Sequence, residues 1–246
     1  MARLHLLGTG APASDARRTT TMLAFENAGS VVLVDCGADV VQRALASGID
    51  AGAIDALVIT HEHPDHCGGF VLFMERIWLM GRRRPIAVIG IAEAVAQARR
   101  LLQAFDIAHW NLPEIQWRTV EHRAGAEVLV DRRWRITAAP GVHPVPTIGV
   151  RVEAVGGGTV AYSCDTEVTD AIVELARGAD ILVHEASGTT EGHSTNEGAA
   201  SVAARAGAER LVLVHLPPDV HDGQLAAARE IFPRTEFGED GARYDF

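Results

Sequence analysis

The segment His61-Glu62-His63-Pro64-Asp65-His66 places five potential metal ligands within six residues. It follows the apolar run 56–60, which is typical of a buried strand, and precedes Gly68-Gly69, where the backbone can turn into a helix beginning near Phe70. Neutral imidazoles and carboxylates are ligands of zinc and related divalent ions. We expect Pro64 to keep the segment non-helical before Phe70. A surface loop rich in His by chance is the weaker interpretation, because the His-x-His-x-Asp-His pattern is dense in ligands.

Two metal ions would need more ligands than this motif offers, and several other apolar runs end in such residues. These ends carry Asp35, His143, Asp165, His184-Glu185 and His215. Strands of layered α/β folds bring their ends to one edge, where binding sites form. We expect Asp35 to hold a ligand loop in place, with a turn or helix cap as the alternative. His184 is expected to be structural, because neighbouring strand residues face opposite sides.

The composition is that of an ordinary globular protein of 246 residues, with 48% hydrophobic and 22% charged residues. No interdomain linker, low-complexity stretch or short repeat interrupts it, so we predict one domain over residues 1–246. No apolar run is long enough to cross a membrane, and the first residues lack the layout of a signal peptide, which favours a cytoplasmic location. The net charge of −10 argues against broad electrostatic attraction to nucleic acid.

Hydrophobic periodicity predicts strands and helices along the whole chain. The expected strands are 3–7, 21–26, 31–34, 56–60, 85–91, 127–130, 134–139, 148–154, 159–163, 180–183 and 211–214. The expected helices are 40–46, 70–80, 93–105, 169–177, a helix opening at 193–195 and running to about 206, and 224–232, followed by a short tail. The two strand-rich halves, 1–91 and 127–215, predict two sheets face to face with helices outside.

Three cysteines, Cys36, Cys67 and Cys164, lack the spacing of a disulfide framework or a structural zinc knuckle. Each stands next to a residue of the predicted site. We expect them to be small buried residues beneath that site, with direct metal ligation by Cys164 as the alternative.

The ordered set of strand-end residues resembles the metallo-β-lactamase superfamily over nearly the whole chain. The resemblance implies an α/β fold, the four-layer αββα sandwich, with two mixed sheets flanked by helices. It implies two divalent metal ions, usually zinc, with manganese or iron as alternatives. By the resemblance, His61, His63 and His143 bind one ion. Asp65, His66 and His215 bind the other, and Asp165 bridges the two.

Within the superfamily, the chain is most similar to ribonuclease Z and related small phosphodiesterases. The similarity is carried by Leu7-Gly8-Thr9-Gly10, His184-Glu185-Ala186-Ser187 and His193-Ser194-Thr195. It implies hydrolysis of a phosphodiester by a metal-bridging hydroxide that Asp65 orients. Glu185 and His193 would form a catalytic pair in which His193 protonates the leaving group. A homodimer is also implied.

Two departures argue against transfer RNA as the substrate. Ribonuclease Z normally has a long arm that grips transfer RNA between the positions of His143 and Asp165, where this chain has only 21 residues. The last His is followed by Leu216-Pro217-Pro218, unlike the usual ending of that motif. We therefore expect a small-molecule or short-oligonucleotide phosphodiester. The alternatives are an acyl hydrolase for a lactone or thioester, a transfer-RNA 3′-processing endonuclease, and a non-catalytic metal-binding module.

Overall fold

The structure is a computed structural model that describes residues 1–13 and 15–246. Within those residues the strands form two seven-stranded sheets. The first sheet contains β1 (Arg3–Gly8), β2 (Met22–Asn27), β3 (Ser30–Val34), β4 (Ile54–Ile59), β5 (Ile86–Gly90), β6 (Ile115–Thr119) and β14 (Arg243–Asp245), in the order β14-β1-β2-β3-β4-β5-β6. The second contains β7 (Ala126–Val130), β8 (Trp134–Pro140), β9 (Ile148–Ala154), β10 (Thr159–Tyr162), β11 (Ile181–Glu185), β12 (Leu211–Val214) and β13 (Thr235–Phe237), in the order β13-β12-β11-β10-β9-β8-β7.

Helices cover the outer face of each sheet. The first sheet carries α1 (Val40–Ala46), α3 (Phe70–Leu79) and α4 (Ala92–Gln103), and a single turn, α2 (Pro64–Cys67), precedes α3. The second sheet carries α5 (Asp170–Leu175), α6 (Asn196–Ala206) and α7 (Asp222–Ile231). The predicted four-layer αββα sandwich with two mixed sheets is therefore confirmed. In the part of the chain that the structure describes, no helix combines the length and the apolar character that crossing a membrane requires.

Both sheets are mixed, and their strand directions bring many strand ends to one edge. In the first sheet, β3, β4, β5 and β6 are parallel. In the second, β10 to β13 are parallel, and β8 points the same way as β10 because both are antiparallel to β9. His66, which follows β4, approaches Asp165, which follows β10, to 3.4 Å between Nε2 and Oδ2. The carboxyl ends of both sets of strands therefore lie together.

The central strands of the second sheet are buried on both faces, which explains their continuous apolar sequence. Val183 and Val212 belong to the hydrophobic core that also includes strands of the first sheet. Leu182 and Leu213 belong to a second core that includes residues of α5, α6 and α7. Successive side chains thus alternate between the two cores, as the period of a strand requires.

Several elements differ from the sequence predictions. Three short strands, β6, β13 and β14, were not predicted, and the supposed tail contributes β13 and β14 to the edges of the two sheets. The prediction that Pro64 keeps its segment non-helical is wrong. Pro64 is the first residue of α2, because proline has the backbone angle of a helix and the first helical position needs no N–H donor.

Trp134 provides a test of how the two sheets are held together. Its indole is fully buried in the core, and Nε1 donates to Ser30 Oγ of the first sheet at 3.1 Å. Trp134→Ala should lower the free energy of unfolding by about 3–5 kcal/mol through lost packing. Ser30→Ala should cost about 1–3 kcal/mol because it leaves the buried N–H without an acceptor. Urea unfolding of metal-free protein measures both, with the exposed Val130→Ala as control. A Trp134→Ala variant as stable as that control would contradict this packing.

Candidate metal centre

The predicted site residues come together at the common edge of the two sheets. Asp35 and His215 have left-handed backbone conformations at their strand ends, with φ of 65° and 55°. Cys164, which directly precedes Asp165, has a φ of 54°. Such conformations cost about 1–3 kcal/mol at non-glycine residues and concentrate at functional sites, although Asp and His tolerate them best. The chain therefore turns sharply out of β3, β10 and β12 at this edge.

The first group of candidate ligands consists of His61, His63 and His143. His63 Nδ1 lies 3.1 Å from His61 Nε2 and 3.2 Å from His143 Nε2. The three imidazoles therefore aim one ring nitrogen each at a common point. His61 is buried, whereas His63 and His143 are half-buried and form the solvent-facing side.

The second group consists of Asp65, His66, Asp165 and His215. Asp65 Oδ2 lies 3.3 Å from His66 Nε2 and 3.1 Å from His215 Nε2. Asp165 Oδ2 lies 3.4 Å from each of the same two nitrogens. The same oxygen is also 3.9 Å from His61 Nε2, so Asp165 stands between the two groups.

The donor atoms of both groups fit divalent metal ions. Zinc–nitrogen bonds of about 2.0–2.1 Å in a tetrahedral site place two nitrogens roughly 3.3–3.4 Å apart, close to the separations observed here. Among the described residues, buried His66 Nε2 and Asp165 Oδ1 have no hydrogen-bond partner. Buried polar atoms without partners are unfavourable, and a metal ion would supply the missing partner of His66. Each group holds three or more ligand atoms within 4.8 Å of one another.

Asp35 fixes the orientation of His66. Its Oδ2 accepts a hydrogen bond from His66 Nδ1 at 2.8 Å, which leaves Nε2 aimed at the second group. Its Oδ1 accepts from the backbone N–H of Thr60 at 2.9 Å, and the Thr60 hydroxyl also donates to the carboxylate. Asp35 therefore orients a candidate ligand without belonging to either ligand group.

Thr60 connects Asp35 to His61 of the first group through hydrogen bonds. Because its only hydroxyl hydrogen goes to Asp35, Thr60 Oγ1 accepts from His61 Nδ1 at 3.2 Å. His61 then presents Nε2 to His63. Cys164 donates to the same hydroxyl, with 2.9 Å between Sγ and Oγ1. Cys164 is 3.5 Å from Nδ1 of His61, the nitrogen that faces away from the first group, so the geometry does not favour the thiol as a ligand.

The three thiols are buried and unpaired, as expected from the sequence. Burial raises the pKa of Cys67 to about 12, and burial likewise raises the pKa of Cys164. Thiols bind metal as thiolates, so these shifts disfavour ligation. The cysteines instead pack beneath the histidines.

The electrostatics keep three candidate ligands, His61, His143 and Asp165, in the form that binds metal. Burial and the nearby His66 lower the pKa of His61, and burial lowers the pKa of His143. Burial acts to raise the pKa of Asp165, but the neighbouring His215 and His66 outweigh it and lower that pKa. Neutral imidazoles and ionised carboxylates are the ligating states. For His66, Asp165 and Asp35 outweigh burial and raise the pKa, so metal binding there would displace a proton.

Glu185 and His193 lie beside both groups. Glu185 is fully buried, and its oxygens accept from the backbone N–H groups of Ser194 at 2.6 Å and Ser187 at 2.8 Å. Its Oε1 is 3.3 Å from His193 Nδ1. Burial acts to lower the pKa of His193, but Glu185 outweighs burial and raises it. His193 therefore has a carboxylate that favours its protonated form. Neighbouring His184 is buried and bonds the carbonyl of Glu185 through Nδ1, in keeping with a structural role.

Sequence reasoning missed three residues that contact candidate ligands, Thr60, Ser187 and Gly192. Ser187 contacts His215, and Gly192 contacts His143. Thr60 directly precedes the motif, and Ser187 belongs to the segment from His184 to Ser187 that carries the family similarity, but neither signal predicted these contacts. Their contacts depend on tertiary structure that a single sequence does not display.

Asp35→Asn tests the support of His66. The amide oxygen would replace the acceptor facing Thr60, and the amide NH₂ would then face the Nδ1–H of His66. Two donors would oppose each other, and His66 would lose its orientation. Because such supporting contacts typically contribute 10–100-fold in metal affinity, we expect a loss of that size for one of two ions. Zinc titration against a competing chelator measures it, with the exposed Asp170→Asn as control. Unchanged affinity for both ions would contradict the assignment.

Comparison with known proteins shows the family to which this chain belongs. The family model of the beta-lactamase superfamily domain matches residues 31–216. Ribonuclease Z of Mycolicibacterium paratuberculosis is 36% identical over 275 residues, covering 98% of this chain and 96% of the relative. That alignment is longer than the 246 residues of this chain, so the relative contains stretches with no counterpart here.

Solved structures show the same fold. The metallo-beta-lactamase fold protein YhfI from Bacillus subtilis has a TM-score of 0.85 and 23% identity, over 100% of this chain and 99% of that chain. The short form of human tRNase Z has a TM-score of 0.81 and 23% identity, over 99% of this chain and 98% of that chain. By the family model and the ribonuclease Z relative, the chain belongs to the metallo-β-lactamase superfamily, in the branch that includes the ribonuclease Z enzymes.

Proposed function

We propose that this protein is a metal-dependent hydrolase that cleaves small or flexible phosphodiesters. The proposal rests on one observation, the Glu185–His193 pair, which lies beside both ligand groups. The curated relative is named a ribonuclease, and RNA is a phosphodiester. An acyl hydrolase would need such a pair less, because a thiolate or a lactone oxygen leaves more easily than an alkoxide.

The ligand groups support the following assignment. One ion would be held by His61, His63 and His143, and the other by Asp65, His66 and His215, with Asp165 contributing to both. We propose zinc, because imidazole-rich sites with carboxylates suit it. When bound, two such ions stabilise charge on phosphate oxygens and make a bound water nucleophilic. Asp35 would keep His66 aimed, and the partly exposed Asp65 would orient the attacking oxygen.

His193 would donate the proton that the leaving alkoxide needs. Its ring centroid lies 5.0 Å from that of His143 and 5.5 Å from that of His215, so it stands near a ligand from each group. The ring is partly exposed, and substrate can therefore reach it. The Glu185 carboxylate lies 3.3 Å from Nδ1, so Nε2 would be the atom that carries the transferable proton. General acids of this kind contribute roughly 10²–10⁴-fold to rate.

The surroundings of the site favour a small substrate over transfer RNA. Between His143 and Asp165 the chain forms only the hairpin of β9 and β10. Strand β9 runs away from the edge that carries the ligand groups, and the antiparallel β10 runs back towards it. The turn at Gly156 therefore lies at the opposite edge of the sheet. Nothing projects from this hairpin beside the site. The expectations of a homodimer and of a cytoplasmic location remain predictions.

Comparing two leaving groups tests the role of His193. His193→Ala should slow hydrolysis of a dinucleotide by about 10²–10⁴-fold, because its ribose alkoxide must be protonated. The same variant should retain most activity on bis(p-nitrophenyl) phosphate, since p-nitrophenolate leaves without a proton. The assays use enzyme stripped of metal and reloaded with zinc or manganese.

The exposed His109→Ala serves as the matched control and should leave both activities unchanged. Equal losses on both substrates, with metal content intact, would contradict an acid role for His193. Saturable hydrolysis of a lactone or thioester by wild-type enzyme, with none of either phosphodiester, would overturn the proposed function.

A further inference from the structure

The loop between β11 and α6 touches one histidine of each ligand group. Ser187 Oγ hydrogen-bonds Nδ1 of His215, and it also donates to the His215 carbonyl oxygen at 2.9 Å. Near the other end of the loop, the Gly192 carbonyl oxygen lies 2.9 Å from His143 Nδ1. Residues 187–193, which we call the 187–193 loop, therefore contact a candidate ligand of each metal.

Both contacts select the same imidazole tautomer. The single hydroxyl hydrogen of Ser187 is used by the His215 carbonyl, so Oγ must accept from the Nδ1–H of His215. A carbonyl oxygen can only accept, so Gly192 likewise requires a proton on His143 Nδ1. Each imidazole therefore carries a proton on Nδ1 and turns Nε2 into its ligand group, where Nε2 of His215 lies 3.1 Å from Asp65 Oδ2. The hydrogen bond at one ring nitrogen thus decides which nitrogen can bind a metal.

The loop is held at both ends by Glu185, which also lies beside His193. The backbone N–H of Ser187 donates to Glu185 Oε2, and that of Ser194 donates to Glu185 Oε1. The backbone N–H of Gly188 donates to the Ser194 carbonyl at 3.0 Å and closes the loop. Glu185 therefore holds the two ends of the loop and also lies 3.3 Å from Nδ1 of His193.

Gly192 must be glycine for this arrangement. Its φ of 79° lies in the left-handed region, and a Cβ would fall 2.3 Å from Pro144 Cδ and 2.7 Å from His143 Nδ1. Any side chain there would push the loop away from His143. Because Gly192 is bonded to His193, the same displacement would move the imidazole that stands between His143 and His215.

We propose that the 187–193 loop couples occupancy of both metal positions to the placement of His193, with Ser187 and Gly192 as positioning residues. This inference rests on the proposed function for the role of His193, but the coupling itself concerns metal binding. Each metal that binds through His215 or His143 favours the loop conformation that aims His193 at the site. Linkage is reciprocal, so a loop that is displaced must weaken metal binding.

Metal affinity of loop variants gives the first test. Ser187→Ala should weaken binding of one zinc ion by about 10–100-fold, because His215 loses the acceptor that fixes its tautomer. Ser187→Thr keeps the hydroxyl and should restore most of the affinity. Gly192→Ala should weaken the other ion by a similar factor. Zinc titration against a chelator resolves the two ions, and Thr189→Ala, an exposed change in the same loop, is the control.

Hydrogen exchange of the loop amides gives a second test that does not depend on activity. In wild-type enzyme, zinc loading should slow exchange in the 187–193 loop. In Ser187→Ala this slowing should be reduced at zinc concentrations that saturate the wild type. Circular dichroism confirms folding of each variant, and Ser187→Ala keeps the test decisive if Gly192→Ala does not fold.

Two results together would overturn the coupling. One is that Ser187→Ala binds both ions with wild-type affinity. The other is that zinc does not change hydrogen exchange of the loop in the wild type. The outcome for the proposed function is separate. Loss of metal affinity in the loop variants, with no phosphodiester cleaved by the wild type, would support the coupling and refute the substrate assignment.

Discussion

The candidate centre depends on one constraint, that strands from two different sheets must end at the same edge of the sandwich. Asp35 and His61 follow β3 and β4 of the first sheet, and Asp165 and His215 follow β10 and β12 of the second. No single sheet supplies a complete ligand set for either group. The hydrophobic core that joins the sheets therefore also sets the distance between the ligands, so packing and chemistry cannot be altered independently here.

Two networks of polar contacts then orient the imidazoles of the histidines. Asp35 and Thr60 orient His66 and His61, one from each ligand group. Ser187 and Gly192 do the same for His215 and His143, and through Glu185 they bring in His193. In each case Nδ1 is engaged and Nε2 faces the ligand group, so the four imidazoles would bind metal through the same nitrogen. A preorganised set of this kind lowers the cost of binding metal, because the ligands are ordered before the ions arrive.

Much of this was predictable, because each candidate ligand follows an apolar run, and such runs mark buried strands whose ends meet at one edge. The strands β13 and β14 were missed because each is three residues long, and β14 pairs with β1 at the other end of the chain. The contacts of Ser187 and Gly192 join residues 28 and 49 positions apart. They follow from folded geometry and have no local pattern. Pro64 was misread because proline both interrupts helices and begins them.

The central claim is that the strand ends build a two-metal centre that is shared through Asp165. The most direct measurement is anomalous X-ray diffraction, recorded at the zinc edge, from crystals of the zinc-loaded protein. The account predicts two peaks, one among His61, His63 and His143 and one among Asp65, His66 and His215, on either side of Asp165 Oδ2. A single peak, or zinc bound elsewhere with these residues unliganded, would contradict it.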